Sequence, residues 1–278
     1  MRIGSLFSGI GGLELGLERA GLGHVMWQVE INPFCRSVLA RHWPDVPRYE
    51  DVASVGVSDL SPVDLICGGF PCQDVSSAGA RAGLAGAKSG LWYEYRRIVG
   101  ELRPRFVVVE NVTSGKKLWL PTVRGDLGAL GYRVRALALS AVDVGAPHLR
   151  RRVFVVATTD PDGIVLREQP GRRQRQGDRG SRGNSAALAN ARHDGISRTL
   201  GDSDSDSESA LAIDGEVAGV RGLASRASPW ASPPVFRGMV DGVSGRMDRL
   251  RALGNAVVPQ CAEVIGRIIA EHIEHQVP

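Results

Sequence analysis

The chain has 278 residues, with 34 lysines and arginines against 30 acidic residues, which gives a net charge of +4. This mildly basic balance neither requires nor excludes a polyanionic partner. No apolar run is long enough to span a membrane and no signal-peptide pattern opens the chain, so we expect a soluble cytoplasmic protein. The four cysteines form neither a CxxC pair nor a zinc-ligand spacing, so we expect reduced thiols and no bound metal.

The first half of the chain alternates short apolar runs with segments whose apolar residues recur at helical spacing. Because polar residues do not interrupt the apolar runs, these fit strands covered on both faces, as in a parallel sheet. This order predicts βαβ units in a three-layer α/β domain. The predicted strands are residues 3–7, 25–29, 63–67 and 106–109, and the predicted helices are residues 13–20, 33–42 and 91–102.

The second half of the chain has three parts. We predict further strands over residues 132–139, 141–144 and 153–157, including an antiparallel hairpin at the sheet edge. Residues 158–245 are rich in Gly, Arg, Ser and Asp with few apolar clusters, so we expect long loops and partial disorder. A helix is predicted from Pro259 onward, and its apolar face needs a core, so we expect it to fold back on the first domain.

A glycine-rich loop follows the first predicted strand. Its sequence, FSGIGG at positions 7–12, lets a ligand approach the backbone at the carboxyl end of a strand. It is not the complete GxGxxG pattern, because position 14 is Glu. The second strand leads to Glu30, where a carboxylate can hold ribose hydroxyls. Loop and acid together favour a nucleoside-containing cofactor over a purely structural turn.

Cys72 directly follows Pro71, beyond the apolar run that ends at Cys67. A catalytic thiol must ionise, which demands partial exposure and a positive or hydrogen-bonding neighbourhood. A cysteine that only packs in the core is expected inside the run, as Cys67 is. Position alone therefore leaves two interpretations open, a nucleophile and a packed side chain.

A carboxylate and two arginines also lie at predicted strand ends. Glu110 follows the strand at 106–109, and Arg150 and Arg152 directly precede the strand at 153–157. Alternate positions in an extended segment place Arg150 and Arg152 on one face. A helix cap or a solvated basic cluster would explain these residues without a function. Since thiol, carboxylate and arginine all lie at strand ends, however, one cleft can gather them.

Taken in chain order, these motifs resemble those of the DNA (cytosine-5)-methyltransferase family. The resemblance spans residues 3–158 and about 245–275, and residues 158–245 lie where that family places its target-recognition region. It implies a Rossmann-like S-adenosylmethionine-dependent methyltransferase fold. The catalytic domain would comprise residues 1–157 plus 246–278, and residues 158–245 would form a small, loop-rich recognition region. The matching motifs are FSGIGG at 7–12, Glu30, Asp51, GFPCQ at 69–73, ENV at 110–112, Arg150 with Arg152, and GNAV at 254–257.

The resemblance also implies a role for each matching residue. Cys72 would be the nucleophile, Glu110 the acid at the cytosine ring, and Arg152 a partner for the base's O2 and for the thiolate. Arg150 would belong to the same catalytic group. S-adenosylmethionine, converted to S-adenosylhomocysteine, would be held by Phe7, Ser8, Gly9, Ile10, Glu30, Ile31, Asp51, Val52, Pro71, Asn255, Ala256 and Val257. Two positions depart from the family, which usually has an acidic residue in place of Ser5 and a glutamine in place of His148.

The implied reaction is methyl transfer to C5 of a cytosine flipped out of double-stranded DNA, through a covalent adduct with Cys72. We expect a bacterial or phage-encoded enzyme that acts as a monomer, with no metal and no membrane partner. We expect contacts to DNA phosphates from three arginines of an arginine-rich segment, namely Arg172, Arg173 and Arg175. The sequence does not specify which DNA sequence is recognised. It also does not distinguish a role in restriction from protection of a mobile element or from regulation.

Three alternative functions remain at this stage. A tRNA cytosine-5 methyltransferase on the same fold is possible, because a flipped cytosine looks alike in RNA and DNA. A nicotinamide-dependent oxidoreductase with the same glycine loop would leave the PCQ and ENV motifs unexplained. An inert DNA-binding relative is disfavoured by the intact Cys72, Glu110 and Arg152.

Overall fold

One mixed sheet organises the part of the chain that the structure describes. The computed structural model describes residues 1–71, 90–164, 215–216 and 246–276. The strands are β1 (Arg2–Leu6), β2 (His24–Val29), β3 (Arg48–Tyr49), β4 (Leu65–Gly68), β5 (Phe106–Val112), β6 (Arg133–Ser140), β7 (Arg151–Thr158) and β8 (Gly215–Glu216). Their order across the sheet is β3-β2-β1-β4-β5-β7-β6-β8. The helices are α1 (Gly12–Arg19), α2 (Pro33–His42), α3 (Leu91–Leu102), α4 (Lys116–Ala129), α5 (Arg246–Asn255) and α6 (Pro259–Glu274).

The first five strands are parallel, and β7 runs antiparallel between β5 and β6. The central strands β1, β4 and β5 are buried along almost their whole length, which explains why their sequences are continuously apolar. The predicted α/β class, parallel core and antiparallel hairpin are therefore confirmed. The carboxyl ends of β1, β2, β4 and β5 meet at one edge of the sheet, where open α/β sheets bind ligands.

Helices cover both faces of the sheet. On one face, Trp92 of α3 and Trp119 of α4 pack with apolar side chains of β4 and β5 in one buried cluster. On the other face, Leu17 of α1 and Ile265 of α6 belong to a second cluster. The C-terminal helix thus completes the core beside the N-terminal helix. No helix in the described ranges is long and apolar enough to cross a membrane.

The prediction of a strand over residues 141–144 is wrong. Residues Ala141–Val144 form a single 3-10 turn, whose entry is capped because Asp143 Oδ2 accepts a hydrogen bond from the Ser140 backbone N–H at 2.8 Å. The turn ends at Gly145, whose φ of 86° is left-handed. Local capping therefore outweighs the apolar character of this short run. The expected loops of residues 158–245 lie mostly outside the described residues.

Candidate active site

A cavity of about 350 Å³ opens at the carboxyl ends of the central strands. The glycine loop after β1, the ends of β2 and β5, the loop after β4, the start of β7 and helix α5 contribute to its wall. Ten of its lining residues were predicted as site residues: Phe7, Gly9, Glu30, Ile31, Asp51, Val52, Pro71, Glu110, Arg152 and Asn255. The topology therefore brings residues that are far apart in the sequence around one space.

The remaining predicted site residues lie elsewhere. Ser8, Ile10, Ala256 and Val257 line a smaller adjoining cavity of about 50 Å³, which shares Gly9 and Asn255, among others, with the large one. Arg150 lines a third cavity, to which Ile10, Gly11 and Gly12 of the glycine loop also contribute. Four predicted residues lie outside the described residues: Cys72, Arg172, Arg173 and Arg175. Within the described ranges, no group of three or more His, Cys, Asp or Glu side chains could hold a metal ion.

Glu30 is fixed at the mouth of the cavity by the backbone on either side of it. Its Oε2 accepts a hydrogen bond from Gly9 N at 2.7 Å, and its Oε1 accepts one from Asn32 N at 2.8 Å. The loop that Glu30 contacts has left-handed backbone at Phe7 and Gly9, with φ of 54° and 56°. Because each carboxylate oxygen has two lone pairs, the Glu30 carboxylate can still accept hydrogen bonds from a ligand.

Asp51 and Val52 form another part of the cavity wall. The Asp51 carboxylate accepts a hydrogen bond from Ala53 N at 2.9 Å and caps the 3-10 turn Val52–Ser54. The carbonyl oxygen of Val52, whose side chain is buried, accepts a hydrogen bond from Arg97 Nη2 at 3.0 Å. Arg97 of α3 thereby holds this turn against the domain, a role that the sequence alone did not reveal.

Glu110 and Arg152 form an ion pair inside the cavity. The Arg152 Nε lies 2.9 Å from Glu110 Oε1, and only 8% of Glu110 is exposed. Arg152 of β7 pairs with Val112 of β5. Because Val112 and Glu110 are two positions apart in β5, Arg152 and Glu110 lie on the same face of the sheet. Burial raises the pKa of Glu110 to about 7, although the charges of Arg152 and Arg150 oppose this shift. The carboxyl can therefore hold a proton near neutral pH.

Gly69 and Phe70, which precede the PCQ motif, contact the end of β5. A Cβ atom at Gly69 would lie 2.8 Å from Glu110 Oε2, so only glycine lets the carboxyl approach the backbone here. Asn111 Nδ2 donates a hydrogen bond to the Phe70 carbonyl oxygen at 3.2 Å. Pro71, the next residue, lines the same cavity as Glu110. Cys72 follows Pro71 in the sequence.

Arg150 and Arg152 have different partners. Arg150 precedes β7 and has a φ of 28°, which interrupts the alternation expected for an extended segment. Its Nη2 donates hydrogen bonds to the carbonyl oxygens of Gly254, at 2.8 Å, and of Ala256. Arg150 thereby holds the segment between α5 and α6, which carries Asn255 into the cavity. This is a positioning contact.

Glu14 was not predicted as a site residue, and it is fully buried beside the glycine loop. Ser5 Oγ donates a hydrogen bond to Glu14 Oε1 at 2.6 Å, and Ser8 Oγ lies 2.8 Å from Ser5 Oγ. A sequence signal was available, because Glu14 and Leu17 are three residues apart and thus share the apolar face of α1. An acid on such a face marks a buried polar group that needs a partner.

Comparison with known proteins adds a family assignment to this geometry. A family model described as C-5 cytosine-specific DNA methylase matches residues 1–209. Type II methyltransferase M2.BsuMI of Bacillus subtilis (strain 168) is 34% identical over 179 residues, which are 60% of this chain and 44% of that protein. Type II methyltransferase M.AquIA of Picosynechococcus is 35% identical over 173 residues, which are 55% of this chain and 69% of that protein.

A solved structure supports the fold. The structure of the Entamoeba histolytica methyltransferase EhMeth superposes with a TM-score of 0.52 at 20% identity, covering 61% of this chain and 55% of that one. This likeness concerns the fold alone. The chain spans about half the length of most of the curated relatives that it matches.

Proposed function

The chain belongs to the C-5 cytosine-specific DNA methylase family, and from this membership we propose that it transfers a methyl group from S-adenosylmethionine to C5 of a cytosine in a specific duplex DNA sequence. The observation that carries the proposal is the Glu110–Arg152 pair, which lies in the same cavity as Glu30 and Asp51. The cavity thus offers groups for a cytosine ring as well as carboxylates for a nucleoside. Membership in this family favours DNA over RNA as the substrate and methyl transfer over hydride transfer.

The residues around the cavity fit S-adenosylmethionine. Glu30 presents a fixed carboxylate that suits ribose hydroxyls, and Asp51 with Val52 forms a wall that suits an adenine ring. A Cβ atom at Gly9 would meet no atom within 4 Å, so the loop backbone faces open space beside the cavity. When bound there, S-adenosylmethionine supplies a methyl group that its sulfonium charge makes electrophilic. Its product is S-adenosylhomocysteine.

The chain's own residues supply the activation of the cytosine. The Cys72 thiolate adds to C6, which makes C5 nucleophilic and places negative charge on N3 and O2 of the ring. Glu110 donates its proton toward N3, and Arg152 donates hydrogen bonds to O2. Each such preorganised donor contributes roughly 2–4 kcal/mol to the transition state. After C5 is methylated, loss of the C5 proton expels Cys72 and restores the ring.

The remaining parts of the proposal concern DNA. A cytosine inside a duplex must be flipped out before C6 can be reached, which costs about a few kcal/mol of stacking and pairing. We assign sequence recognition to residues 158–245 and catalysis to residues 1–157 plus 246–278. Phosphate contacts by Arg172, Arg173 and Arg175 would offset part of the cost of flipping. Because one chain carries all these groups, we propose that a monomer modifies DNA in a bacterial cytoplasm, as part of a restriction-modification system.

A methyl-transfer assay tests the proposed function directly. The full chain is incubated with radiolabelled S-adenosylmethionine and either duplex DNA or tRNA, and bisulfite sequencing of DNA from expressing cells locates the modified sequence. We expect label in DNA and a single methylated motif. Label in RNA alone would contradict the assignment and would support the RNA methyltransferase instead.

Changing Glu30 to glutamine is expected to weaken binding of S-adenosylhomocysteine by about 10- to 100-fold, because the ribose hydroxyls lose a charged acceptor. Calorimetric titration of the full chain measures this affinity. Glu50→Gln is the matched control, since Glu50 lines the same cavity but its side chain is 73% exposed and pairs with Arg36. We expect the control to stay within about two-fold of the unchanged protein. Equal affinity of the Glu30 variant and the unchanged protein would remove Glu30 from the ribose site.

A further inference from the structure

The small cavity beside the glycine loop contains a buried carboxylate oxygen that lacks a partner. This cavity has a volume of about 50 Å³ and is lined by Ser5, Ser8 and Glu14 together with backbone of the loop. The Glu14 side chain is fully buried. Its Oε1 accepts the Ser5 hydroxyl hydrogen bond, whereas its Oε2 has no hydrogen-bond partner among the described residues.

A buried carboxylate oxygen without a partner is costly, because burial removes the water that would otherwise bind it. Burial raises the pKa of Glu14 to about 7, and the nearby serine hydroxyls offset this shift only in part. The other ionisable groups that act on Glu14 are Glu18 of its own helix and Cys67 of β4. Glu110 of β5 also lines the cavity, and no arginine or lysine of the described residues does so. Among the described residues that line this cavity, no positive group is thus available to pair with Glu14.

We propose that Glu14 binds the α-ammonium group of the amino-acid portion of S-adenosylmethionine, while the Ser5 hydroxyl holds the Glu14 carboxylate in place. This inference rests on the proposed function, since it assumes that the cofactor occupies the adjoining large cavity. Phe7, Gly9, Glu110 and Asn255 line both cavities, so one ligand can extend from the first into the second. The cofactor carries two positive groups, and only its ammonium has N–H bonds to donate to Glu14 Oε2.

The size of the cavity and the hydrogen bond from Ser5 agree with this assignment. A volume of about 50 Å³ accepts a group of the size of a water molecule or an ammonium. The Ser5 hydroxyl donates its hydrogen bond to Glu14 Oε1 at 2.6 Å, which leaves Oε2 available to a ligand.

A pair of ligands that differ only in the amino-acid portion tests the proposal. Full-length protein and its Glu14→Gln variant are titrated calorimetrically with S-adenosylhomocysteine and with 5′-methylthioadenosine, which lacks the ammonium group. We expect the variant to bind S-adenosylhomocysteine about 10- to 100-fold more weakly and 5′-methylthioadenosine within about two-fold of the unchanged protein. Unchanged affinity for S-adenosylhomocysteine, or an equal loss for both ligands, would overturn the proposal.

Glu18→Gln is the control for loss of charge on the same helix. Glu18 lies one turn further along α1, outside the cavity, where it accepts hydrogen bonds from Val25 N and Trp43 Nε1. We expect this variant to keep its affinity for S-adenosylhomocysteine, and an equal loss in both variants would overturn the role of Glu14. The melting temperature of each ligand-free variant reports folding separately. If the unchanged protein binds neither ligand, the proposed cofactor itself is refuted, and this inference falls with it.

Discussion

Changing Glu110 to glutamine is expected to lower the rate of methyl transfer by about 100- to 10,000-fold, because glutamine cannot deliver a proton toward N3 of the cytosine. Glutamine has nearly the same size as glutamate, so it fits the tight contact with Gly69. Binding of S-adenosylhomocysteine should stay within about three-fold, since glutamine keeps the size of glutamate and a side-chain oxygen that accepts hydrogen bonds. A rate within about three-fold of the unchanged protein would exclude Glu110 as the acid. Glu50→Gln again serves as the control, because Glu50 lines the same cavity and is exposed.

The pH dependence of methyl transfer provides a second test of Glu110 as the acid. Burial raises the pKa of Glu110 to about 7, so the protonated carboxyl that the mechanism needs is present below this pH and is lost above it. The ratio of kcat/KM between the unchanged protein and the Glu110→Gln variant should therefore fall as the pH rises through about 7. Taking the ratio cancels the ionisation of Cys72, which both proteins share. A ratio that is constant or rises across this range would contradict the proposed protonation state.

Changing Cys72 to serine is expected to reduce methyl transfer below detection while leaving binding of S-adenosylhomocysteine within about two-fold, because a serine hydroxyl does not ionise near neutral pH. The other cysteines cannot substitute for it. Burial raises the pKa of Cys35 to about 11 and that of Cys261 to about 12, and it holds the pKa of Cys67 well above the usual value of a thiol. These thiols stay protonated at neutral pH and are poor nucleophiles.

Cys35→Ser is the matched control for this prediction. Cys35 lines the same cavity as Glu110, so it tests whether any thiol in the cavity supports the reaction. We expect the Cys35 variant to keep most of its activity. Substantial methyl transfer by the Cys72 variant, or loss of activity in the Cys35 variant alone, would contradict the assignment of the nucleophile.

The sequence predicts the central sheet well because burial on both faces leaves a clear pattern. Continuous apolar runs mark β1, β4 and β5, and the intervening helical spacing marks α1, α2 and α3. Helix α4 was missed, since Pro121 and two glycines interrupt its propensity, although Trp119, Leu120, Val123 and Leu127 form a buried face. Helix α5 was missed because only Ala252 is buried in it, so it has almost no apolar face to detect.

The carboxyl ends of parallel strands lie at the same edge of a sheet. This rule alone predicts that Glu30 and Glu110 lie close together, and both line one cavity. Contacts between distant segments were not predictable in this way. Arg150 bonds to carbonyl oxygens more than a hundred residues further along the chain, and its positive φ breaks the alternation that the sequence suggests. The Ser5–Glu14 hydrogen bond likewise depends on how α1 packs on β1, which residue types alone do not specify.

The covalent attack of Cys72 on the cytosine is the central claim, and mapping a trapped adduct tests it most directly. A duplex that carries 5-fluorocytosine at the methylated position is incubated with the full chain and S-adenosylmethionine. Fluorine at C5 cannot leave as a proton does, so the enzyme stays bonded to the base. Protease digestion and mass spectrometry then identify the residue linked to the DNA. We expect linkage at Cys72. Linkage at another residue, or methylation of the ordinary duplex with no adduct on the fluorinated one, would contradict the covalent attack by Cys72.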